Sequence, residues 1–172
     1  MRDAAVDADN VSAQVAYAYA LRGIGRAADA RHRIDAVLEF DTTNSRALPL
    51  RAELALATRD LNQALADAQL YASVSPGAAR AALLVAQVQA ARGNRTLADQ
   101  SYARAMDNFP HSATIATANR DYLMATGRPA EAVALAARFL RDHPASTSAR
   151  ALFDQSCKRA GRAACEAGMR AP

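Results

Sequence analysis

The sequence predicts an all-α protein, a right-handed α-α superhelix (solenoid) of antiparallel helix pairs. Alanine, the strongest helix former, is its commonest residue, whereas only 5% of its residues are aromatic and tryptophan is absent. Glycine and proline are sparse, with 7 and 6 residues in a chain of 172, yet many of them recur at one fixed interval. Between them, apolar residues are spaced three to five positions apart, as on one face of a helix. This composition argues against an all-β fold, which needs β-branched and aromatic side chains.

Two registers of helix-ending residues divide the chain into units of 34 residues. The glycine register holds Gly25, Gly93, Gly127 and Gly161, with Arg59 at the position that lacks a glycine. The proline register holds Pro76, Pro110 and Pro144 at the same interval. Glycine ends a helix because it adopts the left-handed conformation, and proline stops a helix while allowing the next to begin. Each unit is therefore predicted to be a helical hairpin.

These registers predict five helix pairs in chain order. The predicted helices are 11–23 and 27–40, 45–58 and 61–74, 79–92 and 95–108, 113–126 and 129–142, and 147–160 and 163–169. Pro129 falls at the first position of a helix, where proline is favoured, whereas Pro49 predicts a late start for its helix. The corresponding repeats are 11–44, 45–78, 79–112, 113–146 and 147–172, in one domain over 11–172.

Residues 1–10 are expected to be the tail of a preceding repeat. Asp7–Asn10 has the same acidic and polar character as Asp41–Asn44, which lies 34 residues later. The chain is therefore expected to derive from a longer array.

A hairpin of this length, with a small residue early in its second helix and a closing proline, resembles the tetratricopeptide repeat. The repeat 79–112 matches best, through Ala86, Gly93, Ala98, Tyr102, Ala105 and Pro110. Two features depart from the family. The tryptophan that the family has early in its first helix is missing. The position of the first helix that normally holds a small residue has Ala18, Ala52 and Ala86 in the first three repeats, but Arg120 and Asp154 in the last two.

The resemblance implies a concave surface, lined by one helix of each pair, that holds an extended peptide or a partner helix. Mapping the family pattern onto the chain places on this face Tyr19, Arg22, Arg46, Leu50, Glu53, Arg80, Leu83, Gln87, Thr117, Asp121 and Met124. Apolar residues with arginines at intervals suit a segment with apolar anchors and carboxylates. The alternative for Leu50, Leu83 and Met124 is packing between helices. Only Arg80 fits the Lys/Asn/Arg clamp of chaperone-binding family members, so that specialisation is rejected.

Cys157 and Cys165 flank Gly161, so we expect them to face each other across the last hairpin turn. Closely packed helices allow the Cα separation, below about 7 Å, that a disulfide requires. Two buried thiols in a cytosolic protein are the alternative. The spacing is similar to that of hairpin disulfides in exported, cysteine-rich Sel1-like repeat proteins, and this resemblance implies an oxidising compartment such as a bacterial periplasm.

No motif in the sequence supports catalysis, so the protein is predicted not to be an enzyme. The glycine pattern at Gly23–Ala28 fits a dinucleotide fingerprint only loosely, and it follows a helical segment where that motif requires a strand. The three histidines, His32, His111 and His143, have no carboxylates at ligand or triad spacing; His111 and His143 border inter-repeat prolines, so all three are expected to be surface residues. No metal and no cofactor are predicted.

Charge gives weak support for nucleic acid as a partner. The net charge is +4, from 21 Lys and Arg against 17 Asp and Glu, and the arginines are dispersed along the chain. Glu53 and Asp121 on the inner face argue against such a partner, and no apolar run is long enough to cross a bilayer.

The sequence therefore predicts a scaffold that binds a protein or peptide in a bacterial envelope assembly, without nucleic acid and without direct membrane insertion. The expected location is the periplasm or outside the cell, with the cytoplasm as the alternative. A regulatory or scaffolding module of a larger enzyme-containing protein is the alternative function. The sequence predicts no oligomeric state.

Overall fold

The computed structural model describes residues 10–170, which form ten helices and no strand. In chain order these are α1 (Val11–Gly23), α2 (Ala27–Phe40), α3 (Ala47–Ala57), α4 (Leu61–Val74), α5 (Ala79–Ala91), α6 (Arg95–Asn108), α7 (Ala113–Ala125), α8 (Pro129–Asp142), α9 (Thr147–Ala160) and α10 (Arg162–Arg170). The all-α class and the order of helix pairs are confirmed. The largest difference is the start of α3, where Pro49 lies in the first turn and needs no hydrogen-bond donor. Of the predicted N-terminal tail, residues 1–9 lie outside the described residues.

The turns inside the helix pairs have the backbone conformation that the glycine register predicts. Gly25, Gly93, Gly127 and Gly161 have φ values of 81°, 75°, 74° and 79°. Arg59, at the position that lacks a glycine, adopts the same left-handed conformation with φ of 64°. The first four hairpins turn in the same way, with the same pair of backbone hydrogen bonds, whereas the last turn consists of Gly161 alone, with ψ of 166°.

Capping side chains follow the same interval at helix starts. Ser112 and Ser146 accept hydrogen bonds from the backbone amides of the third residues of α7 and α9, at 3.3 and 3.2 Å. Asp60 and Asn94 do the same for α4 and α6, at 3.2 and 3.1 Å. Each cap satisfies an amide that has no partner within the helix.

The chain divides into two compact units, Met1–Ala98 and Asp99–Pro172. In the first unit, α1 packs on α2, α2 on α3, α3 on α4 and α5, and α4 on α5. The core of this unit includes Val15, Ile34, Leu48 and Leu84, each almost completely buried. Fully buried Ala18 and Ala52 allow these helices to approach closely.

In the second unit, α8 contacts α7, α9 and α10, and α9 also contacts α7 and α10. Ile115, Val133, Phe139 and Leu152 are buried here. The last helix packs on α8 at Gly168, where an added Cβ would lie 2.6 Å from the Ala130 carbonyl oxygen. This close approach explains a glycine inside a helix.

Arg120 occupies a position where the first three repeats have a small residue. Its side chain is only 4% exposed, and its Nε lies 3.0 Å from Asp121 Oδ1. Neither Nε nor Nη1 has a hydrogen-bond partner, because the nearby carboxylate is not in line with an N–H bond. The helix therefore accommodates a buried arginine in place of alanine.

Candidate functional site

Five of the residues predicted to line the groove meet in the first unit. Tyr19 and Arg22 come from α1, Arg46 directly precedes α3, Glu53 lies on α3 and Arg80 on α5. We call these five residues the Glu53 cluster. They link the first helices of three consecutive hairpins, which recur on the same side of the unit because each repeat returns to the same register.

Glu53 is the centre of the cluster. Arg22 Nη1 pairs with its Oε2, while Arg80 donates to its Oε1 from Nε at 2.9 Å. Arg80 Nη1 also donates to the Tyr19 hydroxyl at 2.9 Å, and that hydroxyl donates to the Arg46 carbonyl oxygen at 3.2 Å. The guanidinium of Arg80 lies 5.5 Å from the centre of the Tyr19 ring, within cation–π range. These contacts orient the side chains before any partner binds.

The cluster is positive and partly open to solvent. The guanidinium groups of Arg22 and Arg80 share one carboxylate, and the side chains of these arginines are 43% and 39% exposed. Burial lowers the pKa of Arg80, but its hydrogen bonds and charge interactions with Glu53 outweigh burial, so the pKa lies above its usual value. Arg46 is exposed. The arrangement can bind a carboxylate of a partner, because Glu53 neutralises only part of its positive charge.

The other predicted residues of the first unit are divided between surface and core. Leu83 and Gln87 are half-buried on α5. Leu50 has no exposed surface and belongs to the core with Leu48 and Leu84. Leu50 was predicted to line the groove, but it packs between helices and cannot contact a partner.

The predicted residues of the second unit lie on α7, where Thr117, Asp121 and Met124 are all half-buried. Arg159 Nη1 of α9 donates to Asp121 Oδ1 at 2.6 Å. As with Glu53, an acid on one first helix pairs with an arginine of the next hairpin. These acids thus join successive repeats in addition to facing solvent.

A second polar network, which the sequence analysis did not identify, joins α2, α3 and α4. Asp67 is only 2% exposed, and Arg51 binds it through Nε and Nη2 at 2.8 and 2.7 Å. Gln63 donates to Asp67 at 2.9 Å, and Arg51 Nη1 lies 3.4 Å from Asp35. The hydrogen bond to Asp67 raises the pKa of Arg51 despite the opposing effect of burial. This network is structural, since its central carboxylate is buried.

Cys157 and Cys165 form a disulfide that joins α9 to α10, with a Cα separation of 4.8 Å. The bond closes the last hairpin across Gly161. It constrains the terminal helix, which packs on α8 and α9. The role of the disulfide is therefore structural.

A cavity of about 400 Å³ lies between α6, α7 and α8 in the second unit. Its wall includes Asp99, Arg128 and Glu131, and Arg128 Nη1 donates to Asp99 at 2.7 Å while its Nε donates to Glu131 at 2.7 Å. Hydrogen bonds to Glu131 and Asp99 raise the pKa of Arg128 above its usual value, although burial opposes them. The wall carries three carboxylates and two guanidinium groups, and two of the carboxylates are already bound by Arg128.

Residues 10–170 contain no group of three or more His, Cys, Asp or Glu placed to bind a metal. Within the same residues, no helix is both long and apolar enough to cross a membrane.

Comparison with known proteins gives matches among solved structures, whereas no family model and no curated protein matches the chain. A tetratricopeptide repeat protein from Parabacteroides merdae is 15% identical, with a TM-score of 0.66, and the match covers 94% of this chain and 72% of that one. An O-GlcNAc transferase mutant from Thermobaculum terrenum is 20% identical, with a TM-score of 0.70, over 80% of this chain and 27% of that one.

The human IFIT1 dimer with PPP-AAAA is 17% identical, with a TM-score of 0.61, and the match covers 91% of this chain and 39% of that one. The chain thus spans about a quarter of the transferase and two fifths of IFIT1. At these identities the matches establish the fold alone. They agree with the 34-residue registers, the left-handed turns and the paired helices: the chain has the fold of tetratricopeptide repeat proteins.

Proposed function

We propose that this protein is an interaction scaffold that binds a segment of a partner protein along its first helices. The Glu53 cluster is the observation that carries the proposal. It presents an oriented tyrosine and two partly exposed arginines, from α1 and α5, around Glu53 of α3. Aromatic and arginine side chains of this kind contribute most of the binding energy in protein interfaces.

The partner segment is expected to carry carboxylates beside apolar anchors. Two guanidinium groups share one carboxylate in the cluster, and the net positive charge that remains attracts a further carboxylate. Leu83 is half-buried on α5 and lies three residues, about one helical turn, after Arg80, so it offers apolar contact area beside that arginine. Charge sets the orientation of the segment and the apolar contact adds affinity.

We further propose an oxidising compartment, such as the bacterial envelope, because disulfides form and persist in oxidising environments. Alkylation of the protein in cells before lysis tests this location. Protection of both Cys157 and Cys165 from the reagent supports export, whereas two alkylated thiols in native material contradict it.

A comparative pull-down from the source cell tests the groove. The native chain is compared with the triple variant Arg46→Ala, Arg80→Ala and Leu83→Ala. The matched control replaces the same residue types on second helices, as Arg33→Ala, Leu97→Ala and Arg104→Ala, since all three are exposed. Circular dichroism and thermal melting establish that each variant folds.

Partners that bind the native and control proteins but not the groove variant support the proposal. Recovery of the same proteins with all three contradicts it. Recovery of nucleic acid instead of protein also contradicts the proposal. The structure of the human IFIT1 dimer with PPP-AAAA, which has a similar fold, is the reason to include this outcome.

A regulatory or scaffolding module of a larger enzyme-containing protein is the second candidate. It is favoured by the match to an O-GlcNAc transferase, of whose chain the match covers only 27%. An antibody against the chain, used on extracts of the source cell, separates the two. A polypeptide much larger than 18.2 kDa favours the module, and a band at 18.2 kDa favours a separate scaffold.

A further inference from the structure

Two histidines that are 32 residues apart in the sequence meet in the second unit. His111 follows Pro110 in the turn after α6, and His143 precedes Pro144 in the turn after α8. His111 Nδ1 lies 2.7 Å from His143 Nε2, and the two rings are nearly perpendicular. The two turns occupy equivalent positions in consecutive repeats, and the stacking of these repeats brings the histidines into contact.

The backbone determines which nitrogen of His143 carries a proton. His143 Nδ1 lies 2.9 Å from the Phe139 carbonyl oxygen, and a carbonyl can only accept a hydrogen bond. In neutral His143 the Nδ1 atom therefore holds the proton, and Nε2 presents a lone pair to His111. The observed contact then requires a proton on His111 Nδ1. Moving that proton to the other nitrogen of His111 leaves two lone pairs directed at one point.

We propose that His111 Nδ1 and His143 Nε2 bind a divalent transition-metal ion, with Zn²⁺ as the reference ion. Imidazole nitrogens are preferred ligands of Zn²⁺, Cu²⁺ and Ni²⁺. Histidines that bind metal generally donate their second ring nitrogen to a carbonyl or carboxylate, as His143 does to Phe139. The tautomer that this bond selects in His143 is the one that binds metal.

The geometry needs a small adjustment. Tetrahedral zinc with Zn–N distances of about 2.0–2.1 Å separates two ligand nitrogens by about 3.3–3.4 Å. The present separation is 2.7 Å, so the rings must open slightly, and exposed His111 on a turn has room to do so.

Water completes the coordination of the proposed ion. No third protein ligand accompanies the histidines among residues 10–170. A cavity of about 370 Å³ is lined by Pro110 and Asp142, the sequence neighbours of the two histidines, together with Asp107, Arg138 and Phe139, although neither imidazole lines it. Its two carboxylates against one guanidinium favour a cation near these turns, and exposed His111 leaves the pair open to water ligands.

Calorimetric titration of the tag-free full chain with ZnCl₂ at neutral pH tests the site. The native protein is expected to bind one Zn²⁺ per chain. His111→Ala and His143→Ala should each weaken binding about tenfold or more, since even an indirect contact to a ligand contributes about that much. His32→Ala is the matched control, because His32 is an exposed histidine on α2, and it should bind Zn²⁺ like the native protein.

Two further measurements identify the binding atoms. Imidazole ¹⁵N spectra should show Zn²⁺ coordination at Nδ1 of His111 and Nε2 of His143, with the His111 proton on Nε2. Cu²⁺ should bind more tightly than Zn²⁺, and Mg²⁺ should not compete. Absence of Zn²⁺ binding at millimolar concentration, equal affinity in His143→Ala, or shifts confined to His32 would overturn the proposal.

Discussion

At the scale of single residues, Arg120 has the least favourable environment among the charges described above. Two of its nitrogens are buried without hydrogen bonds, and each such group costs about 1–3 kcal/mol of stability. The neighbouring carboxylate of Asp121 does not need Arg120 as its counter-charge, because the Asp121 side chain is 47% exposed and pairs with Arg159. Removing the guanidinium therefore leaves no buried carboxylate unpaired.

Arg120→Met is expected to raise the free energy of unfolding by about 1–3 kcal/mol. Methionine is shorter than arginine, but it is unbranched and flexible, so it fills most of the same space without a charge or a donor. Chemical denaturation measures the difference. The matched variant Arg159→Met removes the partly exposed partner of Asp121 and should lose less than about 1 kcal/mol. A loss of stability in Arg120→Met would show that the buried guanidinium contributes favourably.

Single residues were the least predictable level of the structure. Asp67 could have been identified, because it falls on the same helical face as Ala64 and Ala68, and a carboxylate on an apolar face needs a buried partner. The contact between His111 and His143 has no sequence signal, since it depends on how consecutive turns stack. Leu50 was wrongly predicted to line the groove, because the spacing of apolar residues along a helix does not distinguish a leucine in the core from one at the edge of the groove.

At the scale of elements, Arg59 tests what the turns require. Residues other than glycine pay about 1–2 kcal/mol for the left-handed conformation, and Arg59 adopts it with φ of 64°. Arg59→Gly should therefore raise the free energy of unfolding by about 0.5–1 kcal/mol, after the greater freedom of glycine in the unfolded chain is subtracted. Thermal or urea denaturation measures this gain.

Gly127→Ala is the matched test with the opposite sign. Gly127 has φ of 74°, and an added Cβ would have open space around it, so only backbone strain opposes the change. A loss of about 1 kcal/mol is expected. If both substitutions changed stability in the same direction, backbone conformation would not be what the glycine register selects.

Helices were more predictable than side chains because their ends are set locally. Glycine in the left-handed conformation and proline after a helix act within a few residues, so α2, α4, α6 and α8 have the predicted boundaries. The start of α3 differs by two residues, since Pro49 must lie in the first turn. Contacts between repeats depend on side chains that local rules do not position.

At the scale of the whole molecule, stability in a repeat fold is expected to be local. Each repeat contacts its neighbours, so an interaction stabilises nearby helices and has little effect at a distance. The disulfide between Cys157 and Cys165 holds α10, which packs on α8 and α9. By the chain-entropy estimate a loop of this length contributes about 2.6 kcal/mol.

Reduction of the disulfide should therefore increase amide hydrogen exchange in α10 and leave α1–α5 protected. Exchange monitored by mass spectrometry, with and without reductant, measures the effect helix by helix. The double variant Cys157→Ala and Cys165→Ala should reproduce the pattern without reductant and show no further change when reductant is added. Faster exchange throughout α1–α5 would instead mean that the terminal hairpin stabilises the whole chain cooperatively, whereas unchanged exchange in α10 would mean that its packing around Gly168 suffices without the covalent bond.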